Sequence, residues 1–354
     1  MVCLLLVVPM VSYVRALLYP GNASFAVRTV EWFRDHGAGG VIDTVETWKY
    51  SRQAPPASGQ PQDIPAVPPS SAAPKQMSGL RSIKLLPGVK ALPHEGLWTA
   101  ARQGNNGKSL LWTSWFRPDS AHLPVTAAAA LVPQGADKVR LMPGTREPVV
   151  GMLSKDGYSV PPRDRARLVA TFNAGFKMRD SHGGWWTTES PAVPLVDGRA
   201  SAVINRDGVV RIGEWNKTVR MGPYVVAVRQ NLDPVIVGGR IVDGLTGNAD
   251  GRWGSVRSQF QYTWRSGLGT DARGNLIYVA GQGLTLATLA AAMQQTGIQE
   301  GMELDIHAAM VSFDLEHPRG DGSISSKRLL ESMTSPVDRY LVDDQRDFFY
   351  VVAR

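Results

Sequence analysis

The chain has 354 residues, of which 43% are hydrophobic and 19% charged, enough for one large domain or two modest ones with a real core. The formal charge of +7 favours an anionic partner, but lysine and arginine are scattered and no nucleic-acid-binding motif is present. We therefore expect no nucleic acid partner, and consider a phosphate-bearing substrate or an envelope polyanion instead. The one cysteine, Cys3, lies in the leader, which excludes a disulfide framework and a cysteine-based zinc site in the folded part.

Residues 1–20 form an apolar leader without a charged side chain before Arg15. Its length fits the hydrophobic region of an export signal and is short for a bilayer span, which needs roughly 20 apolar residues. Basic residues before the run and a small-residue cleavage site are missing, so an uncleaved anchor or a core helix stays open. We predict export, to the outer face of the cell membrane or outside the cell, with membrane contact through this segment.

Three further segments follow the leader. Residues 21–51 are predicted to form a short helical piece next to the membrane, with Ser24 as the cap of its first helix and Gly37 as its end. Residues 52–78 are rich in proline and poor in large apolar side chains, which predicts an extended linker. Residues 79–354 are predicted to form the main domain.

The main domain is dominated by strand pairs with turn residues between them. Thr285 is predicted to cap the one well-signalled helix and Gly297 to end it, while FFYVVAR is the expected last strand. The pattern predicts an α+β fold, with a mainly antiparallel mixed sheet, hairpins and a few helices packed at one side. The predicted hairpin turns are 206–208, 238–239 and 271–274.

Residues 302–307 read MELDIH, in which apolar and ionisable side chains alternate. Successive side chains of a strand point to opposite faces, so Glu303, Asp305 and His307 are expected on one face. A solvated sheet face gives the same pattern. The alternative is a site in which carboxylates and an imidazole perform acid–base chemistry.

Four short motifs occur in an order and spacing that resemble the phosphodiester glycosidase family. The resemblance covers about residues 165–315. One member of that family removes N-acetylglucosamine from a phosphodiester. The motifs are a turn at Asn173-Ala174-Gly175-Phe176, a hairpin from Pro234 to Gly239, a segment from Arg265 to Gly269, and a helix from Gly283 to Ala290.

The resemblance implies that Asp305 is a site carboxylate and that Arg265 binds phosphate, whereas the alternatives are a turn-capping aspartate and a surface arginine. Asn173 and Gly175 lie in the matched turn, where Asn173 can either contact a ligand or only stabilise the turn. The chain departs from the family after Asp305. The family continues with a glycine-rich turn, and this chain has His307 and two alanines instead.

Residue chemistry adds further candidates. Glu303 precedes Asp305 by two residues on the same face, with Cα atoms roughly 6.5 Å apart, which permits either a retaining or an inverting pair. His307 can act as a general acid or donate to phosphate near neutral pH, and a structural histidine is the alternative. Lys177 is a weaker phosphate ligand, and Trp186 offers a flat face for a sugar ring unless it is a core residue.

We expect no cofactor and no metal, because alternate residues of one strand rarely supply three ligands. The predicted function is an exported hydrolase that cleaves a sugar–phosphodiester bond in an envelope glycan, with the phosphorylated glycan as its partner. The alternative is a non-catalytic glycan-binding envelope protein on the same fold. The sequence gives no indication of the oligomeric state.

Overall fold

The computed structural model describes residues 2–19, 24–38, 40–42, 44–45, 48, 52, 54–61, 63–64, 80–104, 107–189, 193–248, 250–254 and 259–354. Residues 65–78 of the predicted linker lie outside the described residues, as does part of the predicted helical segment at 41–50.

Helices are few and short in the described parts of the chain. The helices are α1 (Val2–Leu17), α2 (Phe25–Phe33), α3 (Pro162–Arg165), α4 (Met178–Ser181) and α5 (Leu286–Gln295), with a π-helical turn at Arg34–Ala38 and a 3-10 turn at Arg339–Leu341. The strands are β1 (Thr99–Gln103), β2 (Ser109–Phe116), β3 (Ala127–Val132), β4 (Asp137–Met142), β5 (Leu168–Asn173), β6 (Trp185–Thr187), β7 (Ala200–Asn205), β8 (Val210–Glu214), β9 (Val225–Gln230), β10 (Ile236–Val237), β11 (Arg240–Ile241), β12 (Thr263–Asp271), β13 (Leu276–Leu284), β14 (Ile298–Ile306), β15 (Phe313–Pro318), β16 (Ile324–Arg328) and β17 (Phe348–Ala353).

These strands form three antiparallel sheets within the described residues. The first has the order β1-β2-β3-β13-β12-β14-β10-β11, the second β16-β15-β5-β17-β4, and the third β6-β9-β7-β8. The predicted hairpins are confirmed: β7 pairs with β8, β10 with β11, and β12 with β13. The last strand is central in the second sheet, between β5 and β4. The α+β class predicted from the sequence is confirmed.

The first sheet is covered on both faces. Met302 and Leu304 of β14 point into a core shared with the second and third sheets, together with Phe172, Tyr278 and Phe349. The opposite face packs against α5 in a second core. Glu303 and Asp305, which alternate with Met302 and Leu304 along β14, therefore face away from the first core, as the sequence pattern predicts.

The segments before the main domain contact it. Leu123 donates its backbone N–H to the carbonyl of Ala57 at 3.2 Å, and Ser332 donates its N–H to Asp63 at the same distance. These contacts lie within the first part of the predicted linker. Independent folding of residues 79–354 stays a prediction.

No helix in the described residues is long and apolar enough to cross a membrane.

Helix α5 is defined by its amino-terminal cap, as the sequence predicts. Thr285 accepts from the N–H of Thr288 at 3.2 Å, and Thr288 accepts from the N–H of Thr285 at 2.7 Å. This capping box satisfies two donors that a helix start leaves unpaired. The helix residues buried against the sheet are Leu286, Leu289, Ala290, Ala292 and Met293.

We predict that Thr285→Ala lowers the free energy of unfolding by about 1 kcal/mol, the usual cost of losing a cap. Thr285→Ser is the matched control, because it keeps the hydroxyl and should stay near wild type. Urea denaturation with both variants checks this. Equal destabilisation by alanine and serine would contradict the capping role.

Candidate active site

A cavity of about 220 Å³ lies where β12 and β14 meet helix α2. Glu303, Asp305 and His307 all line it, so the ionisable face of MELDIH looks into this cavity. Arg265 of β12 and Lys177, which precedes α4, line it as well. The structure thus brings together five of the eight residues that the sequence singled out.

Glu303 and Asp305 of β14 are both buried, and each is paired with its own arginine. Glu303 is 1% exposed and accepts from Arg265 Nη1 at 2.6 Å. Asp305 is 5% exposed, and its Oδ2 accepts from Arg346 Nη2 at 3.0 Å. Its Oδ1 accepts from the N–H of Ile306 at 2.8 Å. A buried carboxylate is costly without such partners, so the two pairs allow both acids to share one strand face.

Burial raises the pKa of both acids despite these partners. Desolvation raises the pKa of Asp305 to about 6, and the nearby Arg346 cation and the N–H of Ile306 oppose it. Desolvation also raises the pKa of Glu303 against the opposing effect of Arg265. Asp305 therefore changes its protonation state within the range where a carboxylic acid is useful for proton transfer.

His307 follows β14 in a left-handed backbone conformation, with φ of +75°. This conformation is unusual for a residue with a side chain, and glycine adopts it without strain. This chain therefore has a residue with positive φ at the point where the resemblance implies a glycine-rich turn. Burial, together with the nearby charges of Arg34 and Arg265, lowers the pKa of His307 to about 3, so the imidazole is neutral at neutral pH.

A bulge shapes the end of β14 next to the site. Gly267 of β12 pairs with Glu303, but Arg265 pairs with Ile306, so β14 contributes one extra residue between the two pairs. The hydroxyl of Ser266 donates to the carbonyl of Asp305 at 3.2 Å. The bulge therefore turns Asp305 out of the regular ladder.

Asn173 holds this bulge from behind and does not line the cavity. Its Nδ2 donates to Ser266 Oγ at 3.2 Å. Its Oδ1 accepts from Tyr278 Oη at 3.0 Å and from the N–H of Ser312 at 3.2 Å. The amide of Asn173 is thus used for internal contacts, and the side chain acts on Asp305 through Ser266.

The remaining two candidates also lie outside the cavity lining. Gly175 has φ of +147°, and a side chain there would collide with Asn231; its carbonyl accepts from Arg346 Nη2 at 2.7 Å. Trp186 lies on β6 and packs against a small satellite core. The apolar walls of the cavity come from Trp253 and Phe176 instead.

Helix α2 covers the cavity with charged side chains. Glu31 and Arg34 line it, and Glu31 forms an ion pair with Lys177. Burial raises the pKa of Glu31, but Lys177 and Arg346 outweigh this and lower it. The segment that the sequence separated from the main domain thus supplies part of the wall of this site.

Sequence reasoning missed Arg346, Trp253 and Glu31. Arg346 could have been suspected, because the charged run 343–347 immediately precedes the apolar strand β17. Trp253 and Glu31 belong to segments far from β14 in sequence and carry no signal of their own. Among the described residues, no group of three or more His, Cys, Asp or Glu side chains is placed to hold a metal ion.

We predict that His307→Val lowers the free energy of unfolding by about 1–3 kcal/mol, because a β-branched residue is strained at positive φ. His307→Asn is the matched control, since asparagine tolerates this conformation, and it should stay near wild type. Equilibrium urea unfolding compares them. Equal midpoints for the two variants would show that the turn does not impose the left-handed backbone.

Comparison with known proteins supports the resemblance found in the sequence. The sequence model of the phosphodiester glycosidase family matches residues 167–326. No curated protein sequence matches the chain.

Solved structures give matches at low identity. One is the zebrafish N-acetylglucosamine-1-phosphodiester alpha-N-acetylglucosaminidase catalytic domain auto-inhibited by pro-peptide, at 15% identity and a TM-score of 0.44, over 73% of this chain and 87% of that one. A Synechocystis hypothetical protein has 16% identity and a TM-score of 0.36, over 65% of this chain and 59% of that one. A Burkholderia pseudomallei K96243 protein described as exported has 11% identity and a TM-score of 0.35, over 65% and 74%. The match of the family model confirms the similarity of residues 167–326 to phosphodiester glycosidases.

Proposed function

We propose that the protein is a hydrolase of the phosphodiester glycosidase type, which cleaves the bond between a sugar and a phosphodiester. The observation that carries this proposal is Asp305, a buried acid with a pKa raised to about 6, in a cavity that is also lined by Arg265 and Lys177. The family match over residues 167–326 supports a glycosidase-like activity.

Cations and an acid have separate tasks in the proposed reaction. Arg265 attracts the phosphate oxygens, and Lys177 adds positive charge to the same cavity. Protonated Asp305 gives its proton to the oxygen that bridges the anomeric carbon and phosphorus. The bond from carbon to that oxygen breaks and its electron pair stays on the phosphate. Water then adds to the anomeric carbon and gives one proton to the Asp305 carboxylate, which restores the acid.

Glu303 contributes charge rather than a proton in this proposal. An oxocarbenium-like transition state carries positive charge near the anomeric carbon, which a nearby carboxylate stabilises. Arg265 keeps Glu303 in place at 2.6 Å. His307 has no role in proton transfer here, because its pKa of about 3 leaves the imidazole neutral. A ring N–H can still donate to a substrate oxygen.

The place of action is proposed from the sequence alone. The apolar leader before Arg15 favours export, and the net charge of +7 suits a polyanionic envelope glycan as substrate. The alternative is a non-catalytic glycan-binding protein. It is favoured by His307, which lines the cavity where the resemblance implies a glycine-rich turn.

We predict that kcat/KM for a GlcNAc-1-phosphodiester falls as the pH rises through about 6. The acid form of Asp305 exists below its raised pKa of about 6 and is lost above it, so the rate should drop about tenfold per pH unit there. A pH–rate profile of wild type measures this. A rate that instead rises through pH 6 would assign Asp305 the role of a base.

We predict that Asp305→Asn lowers turnover by at least about a hundredfold, the scale of lost acid–base catalysis. The substitution keeps the shape and the contact with Arg346, so glycan binding should persist. Steady-state kinetics and calorimetric binding on the same preparations decide between the two functions. Unchanged turnover on phosphosugars with retained glycan binding would favour the binding protein.

A further inference from the structure

We propose that Lys177, Arg179 and Arg146 form a second anion subsite, which binds the outer phosphate of a diphosphate group in the substrate. The inference rests on the proposed function, in which the first phosphate lies beside Arg265 and Asp305. It narrows the substrate class to sugars whose anomeric oxygen carries two linked phosphates or a phosphate with a second one close by.

The subsite is visible because two carboxylates of this chain occupy it. Asp35 follows α2 and receives Arg179 Nη1 at 2.5 Å on one oxygen and Arg146 Nη2 at 2.9 Å on the other. Lys177 Nζ lies 3.9 Å from the first oxygen and pairs with Glu31. Three cations from two separate parts of the main domain thus converge on neighbouring acidic groups.

Lys177 and Asp35 are the more buried members of this cluster. The side chain of Lys177 is only 9% exposed and that of Asp35 is 21% exposed, whereas Arg146 and Arg179 are 32% and 44% exposed. Burial alone would raise the pKa of Asp35, but Lys177 and Arg179 outweigh it and lower that pKa. The cluster therefore stabilises negative charge on whatever group occupies it.

The cluster is continuous with the candidate active site. Lys177 and Arg179 line the cavity that Asp305 and Arg265 also line. A phosphate beside Arg265 and a second anion at Lys177 would therefore share one cavity. Two linked phosphates satisfy both positions with a single ligand, whereas one phosphodiester leaves the outer cations without a ligand.

Charge balance explains why helix α2 and such a ligand exclude each other. Lys177, Arg179 and Arg146 carry three positive charges, and Glu31 and Asp35 carry two negative ones. Asp180 adds a further carboxylate 3.5 Å from Arg179. When Glu31 and Asp35 leave, a net charge of about +2 remains, and a diphosphate offers matching negative charge and several acceptor oxygens.

The test uses the whole chain and inorganic pyrophosphate as a probe of the subsite. In the double variant Glu31→Gln and Asp35→Asn the competing charges are removed. Calorimetry at low salt should show pyrophosphate binding at least about tenfold tighter than to wild type, which corresponds to about 1.4 kcal/mol. The affinity for orthophosphate, which can occupy only one of the two phosphate positions, should increase less. Adding Arg179→Met should cancel most of the gain.

A matched control has the same change in net charge at exposed sites, Asp207→Asn with Glu331→Gln. An equal gain in pyrophosphate affinity in this control, or no gain in the Glu31 and Asp35 variant, would contradict the proposed subsite. Binding is measured without turnover, so the result stands even if the proposed hydrolase activity fails.

Kinetics on the double variant separate the sources of the second phosphate. A nucleoside diphosphate-sugar should show a lower KM than a methyl phosphodiester of the same sugar if the diphosphate is in the leaving group. A lower KM only for a phosphoglycan with phosphates on neighbouring sugars would show that the second phosphate belongs to the glycan and not to the leaving group. Equal KM values for all of these substrates contradict the proposal.

Discussion

Two carboxylates can be buried on one face of one strand only because each has its own arginine. Arg265 lies on the neighbouring strand β12, and its side chain reaches Glu303 across the bulge at the end of β14. Arg346 lies just before β17 and reaches Asp305 from the second sheet. Loss of either arginine would leave a buried charge unpaired, which typically costs about 3–5 kcal/mol. The site therefore depends on the packing of the first sheet against the second.

Arg346 also links the acid to the turn after β5. The same Nη2 group that contacts Asp305 donates to the carbonyl of Gly175 at 2.7 Å. Asn173, two residues earlier, fixes Ser266 and through it the backbone of Asp305. The matched turn of the family is therefore a support for the acid in this protein, and its asparagine needs no contact with the ligand to affect the reaction.

The parts of the site that sequence could predict are those set by local geometry. The period of two along 302–307 predicts Glu303 and Asp305 on the face opposite Met302, although the bulge before Ile306 carries no such signal. The cap at Thr285 and the hairpin glycines are local in the same way. Arg346 and Glu31 reach the site through tertiary packing, which leaves no periodic signal. Trp186 is predicted as a sugar contact from its residue type alone. An aromatic side chain suits a sugar, but whether it reaches the site depends on which sheet its strand joins.

Helix α2 is kept against the cavity mainly by electrostatic interactions. None of the residues of α2 is buried, so its contact with the domain is not driven by a large apolar interface. Ion pairs of partly exposed groups contribute little each and weaken with salt. Lys177 is the exception, because its burial makes the loss of Glu31 costly unless another anion replaces it. A negatively charged ligand in place of Glu31 would offset this cost, so the charge of the cavity wall selects the kind of ligand that can bind there.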